Sequence, residues 1–312
     1  MKNNSAIFTE NLTKIYNKNN NKVNALEKFS INIPRGCIYG LLGPNGAGKS
    51  TFINIIAGLV KKNSGEVNIS GINLDNDPIE IRKKIGVVPQ ELNIDPFFTP
   101  YELLELQAGL YGVKKSDRKT IEILEIMQLI DKKDAYARNL SGGMRRRLLI
   151  AKALVHDPEI IFLDEPTAGV DVELRMNLWK YIKSLCDKGK TICLTTHYLE
   201  EAEKLCDYIT IINNGKKVLE DKKENLLNLF SKRIVEFDIK NEIDNIPPIL
   251  EKYIKTSTHN KLTLEYDKKV INLSEIIKIL NDNNILFSEL KTYDEDLETI
   301  FLKYTSDLYK KI

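Results

Sequence analysis

Apolar and polar residues alternate with period two over residues 6–16 (AIFTENLTKIY) and 25–33 (ALEKFSINI), and an asparagine-rich stretch separates them. Alternation of that kind predicts an antiparallel hairpin with one buried face. Residues 66–74 predict a second, shorter strand pair turning at Gly71, and residues 81–85 a short amphipathic helix. The pattern then changes. Continuous apolar runs of strand length occur at 38–42, 86–88, 160–163 and 191–194. Such runs, separated by helical stretches, predict a parallel α/β sheet buried on both faces. Each run finishes in polar residues: a glycine-rich loop after the first, Gln90 after the second, Asp164-Glu165 after the third, and Thr195-Thr196-His197 after the fourth. Parallel sheets bind ligands beyond their carboxyl ends, so these four endings are expected to converge on one site.

Helical spacing follows at 101–112 (Leu103, Leu104, Leu106) and 118–130 (Ile121, Leu124, Ile126, Leu129). A further helix, opened by Leu140-Ser141-Gly142-Gly143-Met144, has an apolar stripe of Met144, Leu148, Ala151 and Val155, and its arginine triplet 145–147 is expected to be solvated. Beyond residue 231 the pattern is β-α-β-β-α-β, with strands at 233–240, 253–257, 261–267 and 285–292, helices at 247–252 and 272–283, and a final helix at 294–309. That arrangement predicts a small α+β C-terminal domain.

The nine residues GPNGAGKST at 43–51 fit G-x-x-x-x-G-K-[ST], a phosphate-binding loop, and they sit between a predicted strand and a predicted helix as such a loop requires. Gly43, Gly46 and Gly48 let the backbone curl so that its amides face an anion, and the following helix adds its positive end. A helix end contributes only about 0.3–2 kcal/mol to a nearby charge, so a triphosphate needs more. Lys49 is placed to reach the β and γ phosphates, and Ser50 to take a position on Mg²⁺. Two adjacent carboxylates behind four apolar residues are costly in a core without a cation. Asp164 therefore suits a metal ligand and Glu165 a general base on water. Alone, Gln90 after Pro89 also fits a simple turn, and His197 a structural histidine. Tyr16 closes the first strand with a ring that fits the surface, the core or a stacked base. Ser141 and the two glycines after it open a second helix N-terminus shaped for an anion but without a lysine or metal ligands of its own. Such a half-site makes sense if it completes a nucleotide site on another copy of the chain.

Composition narrows the class. At 312 residues two domains are expected. The 46 basic and 44 acidic side chains leave a net charge of +2, so no bulk field points to nucleic acid or an anionic membrane. The four cysteines, Cys37, Cys186, Cys193 and Cys206, have neither metal nor disulfide spacing and are expected to be reduced, as in a cytosolic protein. The start of the chain is polar and no run of about 18 apolar residues occurs, so the chain is not expected to span a membrane.

In order and spacing, GPNGAGKST, VVPQE, LSGGM (140–144), IIFLDEP (160–166), AGVD (168–171) and TTHYLEEAE (195–203) resemble the ATPase subunit of ATP-binding cassette transporters. Within that superfamily PQELNIDPF, QAGLYGV and DEPTAGVDVELR are similar to the multidrug type of exporter subunit, which works with a separate permease. The resemblance covers about residues 6–230. It implies a P-loop cassette with a mixed sheet core, an antiparallel β subdomain and a helical subdomain at about 91–140, followed by an accessory α+β domain at 231–312. It implies ATP and Mg²⁺ as cofactors. Tyr16 would stack on adenine; Gly43, Pro44, Asn45, Gly46, Ala47, Gly48, Lys49, Ser50 and Thr51 would hold the phosphates; and Ser50, Gln90 and Asp164 would attend the metal. Glu165 would polarise water, His197 contact the γ phosphate, Ser141 and Gly143 reach the ATP of a head-to-tail second copy, and Asp171 link the two sites. The chain departs from the superfamily at Met144, where glutamine is commonest, and at Gly169-Val170, where Ser-Leu is usual.

The partners so implied are a second copy and an integral membrane permease at the cytoplasmic face of the membrane, with drugs or other small hydrophobic compounds as cargo and no nucleic acid. The rival is a soluble ATP-switched binding protein acting on ribosomes or DNA. Such cassettes usually come two per chain or with a long coiled-coil insertion, and no internal repeat, long heptad run or basic stripe occurs here. A catalytically dead partner subunit is disfavoured because Lys49, Asp164, Glu165 and His197 are all present.

Overall fold

The computed structural model describes residues 5–18, 21–167, 170, 172–196, 198–229, 232–240, 246–258, 260–294 and 297–305. The chain forms two compact units, Met1–Lys223 and Glu224–Ile312.

The first unit begins with β1 (Ser5–Lys18), β2 (Asn21–Pro34) and β3 (Ile38–Leu42), then α1 (Lys49–Ile56), β4 (Ser64–Ile69) and β5 (Ile72–Asn73). α2 (Pro78–Lys84), β6 (Ile85–Val88), α3 (Pro100–Leu110), α4 (Thr120–Ile126) and α5 (Gly142–Leu154) follow. It closes with β7 (Ile160–Asp164), α6 (Val172–Asp187), β8 (Thr191–Thr196), α7 (Leu199–Leu205), β9 (Tyr208–Asn213) and β10 (Lys216–Lys222). The expected hairpin forms one side of a four-stranded antiparallel sheet, β2-β1-β4-β5, with β2 at its edge. The larger sheet has the order β10-β9-β3-β8-β7-β6, parallel throughout except for β10. Every residue of β3, β7 and β8 is buried, as continuous apolar runs require. Neither β9 nor β10 was legible in the pattern; β10 carries mainly charged, partly exposed residues at a sheet edge.

One apolar core joins the two sheets through α1. Phe52, Ile55 and Ile56 of α1 lie in it with Phe29 and Ile33 of the hairpin and Tyr39 and Phe162 of the parallel sheet. The Phe29 and Phe52 rings meet edge to face at 5.6 Å, a geometry their quadrupoles favour. At the amino ends of the parallel strands the surface is ionic: Glu159 accepts from Ser70 at 2.8 Å and pairs with Arg35 at 3.4 Å and with Lys84.

Local signals set the helix limits. Asp77 caps α2 by accepting from the Glu80 amide, and Thr99 with Glu102 forms a capping box before Pro100 of α3. α3 and α4 are both shorter than the spacing predicts. Arg118 precedes α4 and pairs with Glu105 at 2.7 Å, and a left-handed Gln128 (φ 53°) follows the helix. Leu103, Leu104, Leu124 and Leu129 are buried, but Leu106, Ile121 and Ile126 are exposed, so the helical block has a narrower apolar face than expected.

The second unit holds α8 (Lys223–Leu229, whose first residue is the boundary), β11 (Lys232–Ile239), α9 (Pro248–Glu251), β12 (Ile254–Thr258), β13 (Lys261–Asp267), α10 (Leu273–Asp282), β14 (Phe287–Asp294) and α11 (Leu297–Thr305). Its antiparallel sheet, β12-β13-β11-β14, packs Val235, Phe237, Leu262 and Leu264 against Ile276 and Leu280 of α10.

Candidate active site

β3, β6, β7 and β8 run parallel in near register, with Leu41 beside Thr195, Asp164 beside Thr195, and Val88 beside Leu163. Their carboxyl ends therefore stop at one level. Between β3 and α1 the loop turns through Gly46 (φ 80°) and Gly48 (φ 113°), a region that side-chain-bearing residues rarely adopt. Gly43 answers a different need: a Cβ there would stand 2.3 Å from the Ile212 carbonyl oxygen. The Gly215 amide donates to Ala47 O at 2.9 Å and fixes the loop from outside.

Asn45, Gly46, Gly48, Lys49, Ser50, Thr51, Gln90 and Glu165 line one cavity of about 320 Å³ at these strand ends. Lys49 is buried, and its ammonium donates to the carbonyls of Gly43 (2.7 Å) and Pro44 (3.2 Å). Burial pulls its pKa below the ordinary lysine value, and Glu165 and Asp164 oppose that pull. Ser50 Oγ donates to Asp164 Oδ2 at 3.0 Å, and Thr195 donates to the other Asp164 oxygen. Gln90 Nε2 donates to Glu165 Oε2 at 2.9 Å. Glu165 itself has φ 48°, left-handed for a residue with a side chain, and its amide is held by Thr195 O at 3.0 Å. Conformations of that kind store about 1–3 kcal/mol and persist only where neighbours enforce them.

Ser50 and Asp164 fit a magnesium ion. Ligands about 2.0–2.1 Å from Mg²⁺ at right angles lie about 3 Å apart, the spacing these two oxygens have.

The other expected residues lie elsewhere. Tyr16 is 38% exposed, opposite Val23 on β2, with Lys14 Nζ 4.8 Å from its ring centroid, and it does not line the cavity. Ser141 is exposed at the start of α5, accepting from the Met144 amide at 3.2 Å; neither it nor Gly143 lines the cavity. Asp171 and His197 lie outside the described residues.

One expectation is overturned. The arginine triplet is not a solvated face: Arg145 and Arg147 are half-buried, and Arg146 is 3% exposed. Arg146 Nε donates to Pro166 O, Nη1 to Pro89 O and Gln90 O, and Nη2 to Asp164 O and Glu165 O, at 2.5–3.0 Å. The usable signal was spacing, because Arg146 shares a helical face with Leu149, Ile150 and Ala153, all buried. A second group missed from sequence is Glu201 of α7. Fully buried, it accepts from Thr167 Oγ1 at 3.0 Å and Trp179 Nε1 at 3.1 Å.

A family model described as ABC transporter matches residues 26–168. The chain is 41% identical over 202 residues to the Nod factor export ATP-binding protein I of Cupriavidus pinatubonensis, covering 64% of this chain and 62% of that protein. Thus it spans a little under two thirds of that relative's length. It is 32% identical over 291 residues to a daunorubicin resistance ATP-binding protein of Streptomyces coeruleorubidus, covering 90% of each. Among solved structures it is similar to an ATP-binding subunit of an ABC transporter, with a TM-score of 0.66 at 28% identity over 72% of this chain and 93% of the other. It is also similar to a dimeric ATP-binding cassette in a post-hydrolysis state with ADP and Pi, with a TM-score of 0.63 at 31% identity over 69% and 98%.

Proposed function

The chain belongs to the ABC transporter family, and from that premise we propose that it is the ATP-hydrolysing subunit of an exporter whose membrane path is a separate permease. The observation that carries this reading is the convergence of a phosphate loop, Ser50, Gln90 and Glu165 on one cavity at the carboxyl ends of parallel strands.

Lys49 and the loop amides bind the β and γ phosphates. Ser50, Asp164 and the side-chain oxygen of Gln90 hold Mg²⁺, which neutralises phosphate charge when bound. Glu165, oriented by Gln90, takes the proton of a water whose oxygen attacks the γ phosphorus; ADP and phosphate leave. Tyr16 stacks on the adenine, and His197 contacts the γ phosphate. Ser141 and Gly143 serve the ATP of a second copy in a head-to-tail dimer, with Asp171 linking the two sites. The exposure of Ser141, away from its own cavity, supports that trans role.

The first compact unit, which ends at Lys223 where the sequence reading puts the boundary at 230, is the ATPase domain with a helical subdomain at about 91–140, and the second is an accessory domain that stabilises the dimer. Among the described residues no helix is long and apolar enough to cross a membrane; the export-system relatives support attachment to the cytoplasmic face through the permease. The daunorubicin resistance relative supports drug-like cargo.

Glu165→Gln tests the reading. ATP turnover should fall by about 10²–10⁴, the contribution of a general base, while ATP stays bound; hydrolysis at the wild-type rate would refute it.

A further inference from the structure

Arg146 is a buried cation whose donors are all assigned to peptide oxygens. A guanidinium offers five N–H groups in a rigid fork, and here each has its own carbonyl. Those carbonyls come from two segments far apart in sequence: Pro89 and Gln90 after β6, and Asp164, Glu165 and Pro166 after β7. The arginine itself stands on α5, five residues past Ser141. At 1.5 Å per residue the helix start is only about 7.5 Å along the axis.

The two segments carry the side chains that meet in the cavity. Gln90 donates to Glu165, and Arg146 holds the backbone carbonyl of each. It also holds one side of the left-handed Glu165 peptide, while Thr195 holds the other. A fork that only neutralised charge would face the carboxylates. This one grips the main chain, which fixes position.

We infer that Arg146 is a positioning residue that ties the helix start serving a second copy's ATP to the Gln90–Glu165 pair of its own subunit, so that engagement at one ATP site sets the carboxylate at the other. The inference rests on the head-to-tail reading above. A shift of α5 on its target phosphate moves the fork, and the fork moves both segments together. Lysine, with one nitrogen and three donors, cannot span two peptide groups on each side.

The experiment uses the full chain as wild type, R146K, R146Q and K49A, measuring ATPase rate against ATP concentration, binding of a fluorescent ATP analogue, and melting temperature. The wild type should show a Hill coefficient above one. R146K should keep its analogue Kd within about twofold while kcat falls about 10- to 100-fold and the Hill coefficient drops to one, a loss confined to the catalytic step. R146Q should do the same or more where it folds. A role in packing alone would lower the melting temperature and scale the rate with the folded fraction, leaving the Hill coefficient unchanged; that result overturns the link. So does a wild-type Hill coefficient of one, or R146K with wild-type kcat. If the wild type neither binds nor hydrolyses ATP and K49A matches it, the ATPase reading falls and takes the link with it; if K49A alone is dead, only the Arg146 arms decide.

Discussion

Glu201 is the residue whose state the sequence least revealed. Burial raises its carboxyl above the ordinary value of 4.5, against hydrogen bonds from Thr196, Trp179 and Thr167 and the charge of Arg175. A carboxyl with a raised folded-state pKa contributes stability below its unfolded pKa and loses it as pH rises through the folded one. The wild type should therefore melt progressively earlier, relative to Glu201→Gln, as the pH rises above the ordinary carboxyl value of 4.5. Calorimetry of the two proteins across that rise checks it, and a constant difference would place the titration elsewhere. Glu201→Leu should do worse at every pH, because Trp179 Nε1 and Thr167 Oγ1 would lose their acceptor, at about 1–3 kcal/mol for each buried unpaired group. Arg146 and Glu201 escaped sequence reading for the same reason: charge argues for the surface unless the partners are known, and Asp164 lies 18 positions from Arg146 while Trp179 and Thr167 lie 22 and 34 from Glu201.

At the scale of elements, the fully buried strands announced themselves, while the edge strand β10 and the limits of α4 did not. β3, β7 and β8 are apolar because both faces are covered, so length and composition were enough to find them and the polar residues at their ends. β10 presents charged residues at an edge and left no such trace. α4 begins late because Arg118 turns back to Glu105, a contact thirteen residues away that no period reports. Whereas the need for Gly43 comes from the Ile212 carbonyl far along the chain, the turns of the loop at Gly46 and Gly48 were legible because their positive φ follows from residue type. Gly48→Ala tests that: its Cβ would stand 2.4 Å from the Ala25 carbonyl oxygen at a φ of 113°. We expect ATP affinity to fall by more than about tenfold, with a loss of stability above about 1 kcal/mol. Unchanged binding by titration would mean that the loop tolerates a different path.

At the scale of the molecule, the cavity and the Ser141 helix start serve different copies in the proposed assembly. Ser141→Arg should then abolish the ATP-dependent dimer of a Glu165→Gln background, seen by gel filtration, while leaving ATP binding by the monomer within about twofold. A dimer that survives would put the interface elsewhere. The large sheet also has two unlike rims. One ends in the phosphate loop, Gln90, Asp164 and Glu165. The other ends in Arg35, Lys84 and Glu159, where surface ion pairs in water hold little energy. A fluorescent dye or a surface tether fixed at the exposed Lys188, in the turn leading into β8, would sit on the quiet rim and report on the protein without entering its chemistry.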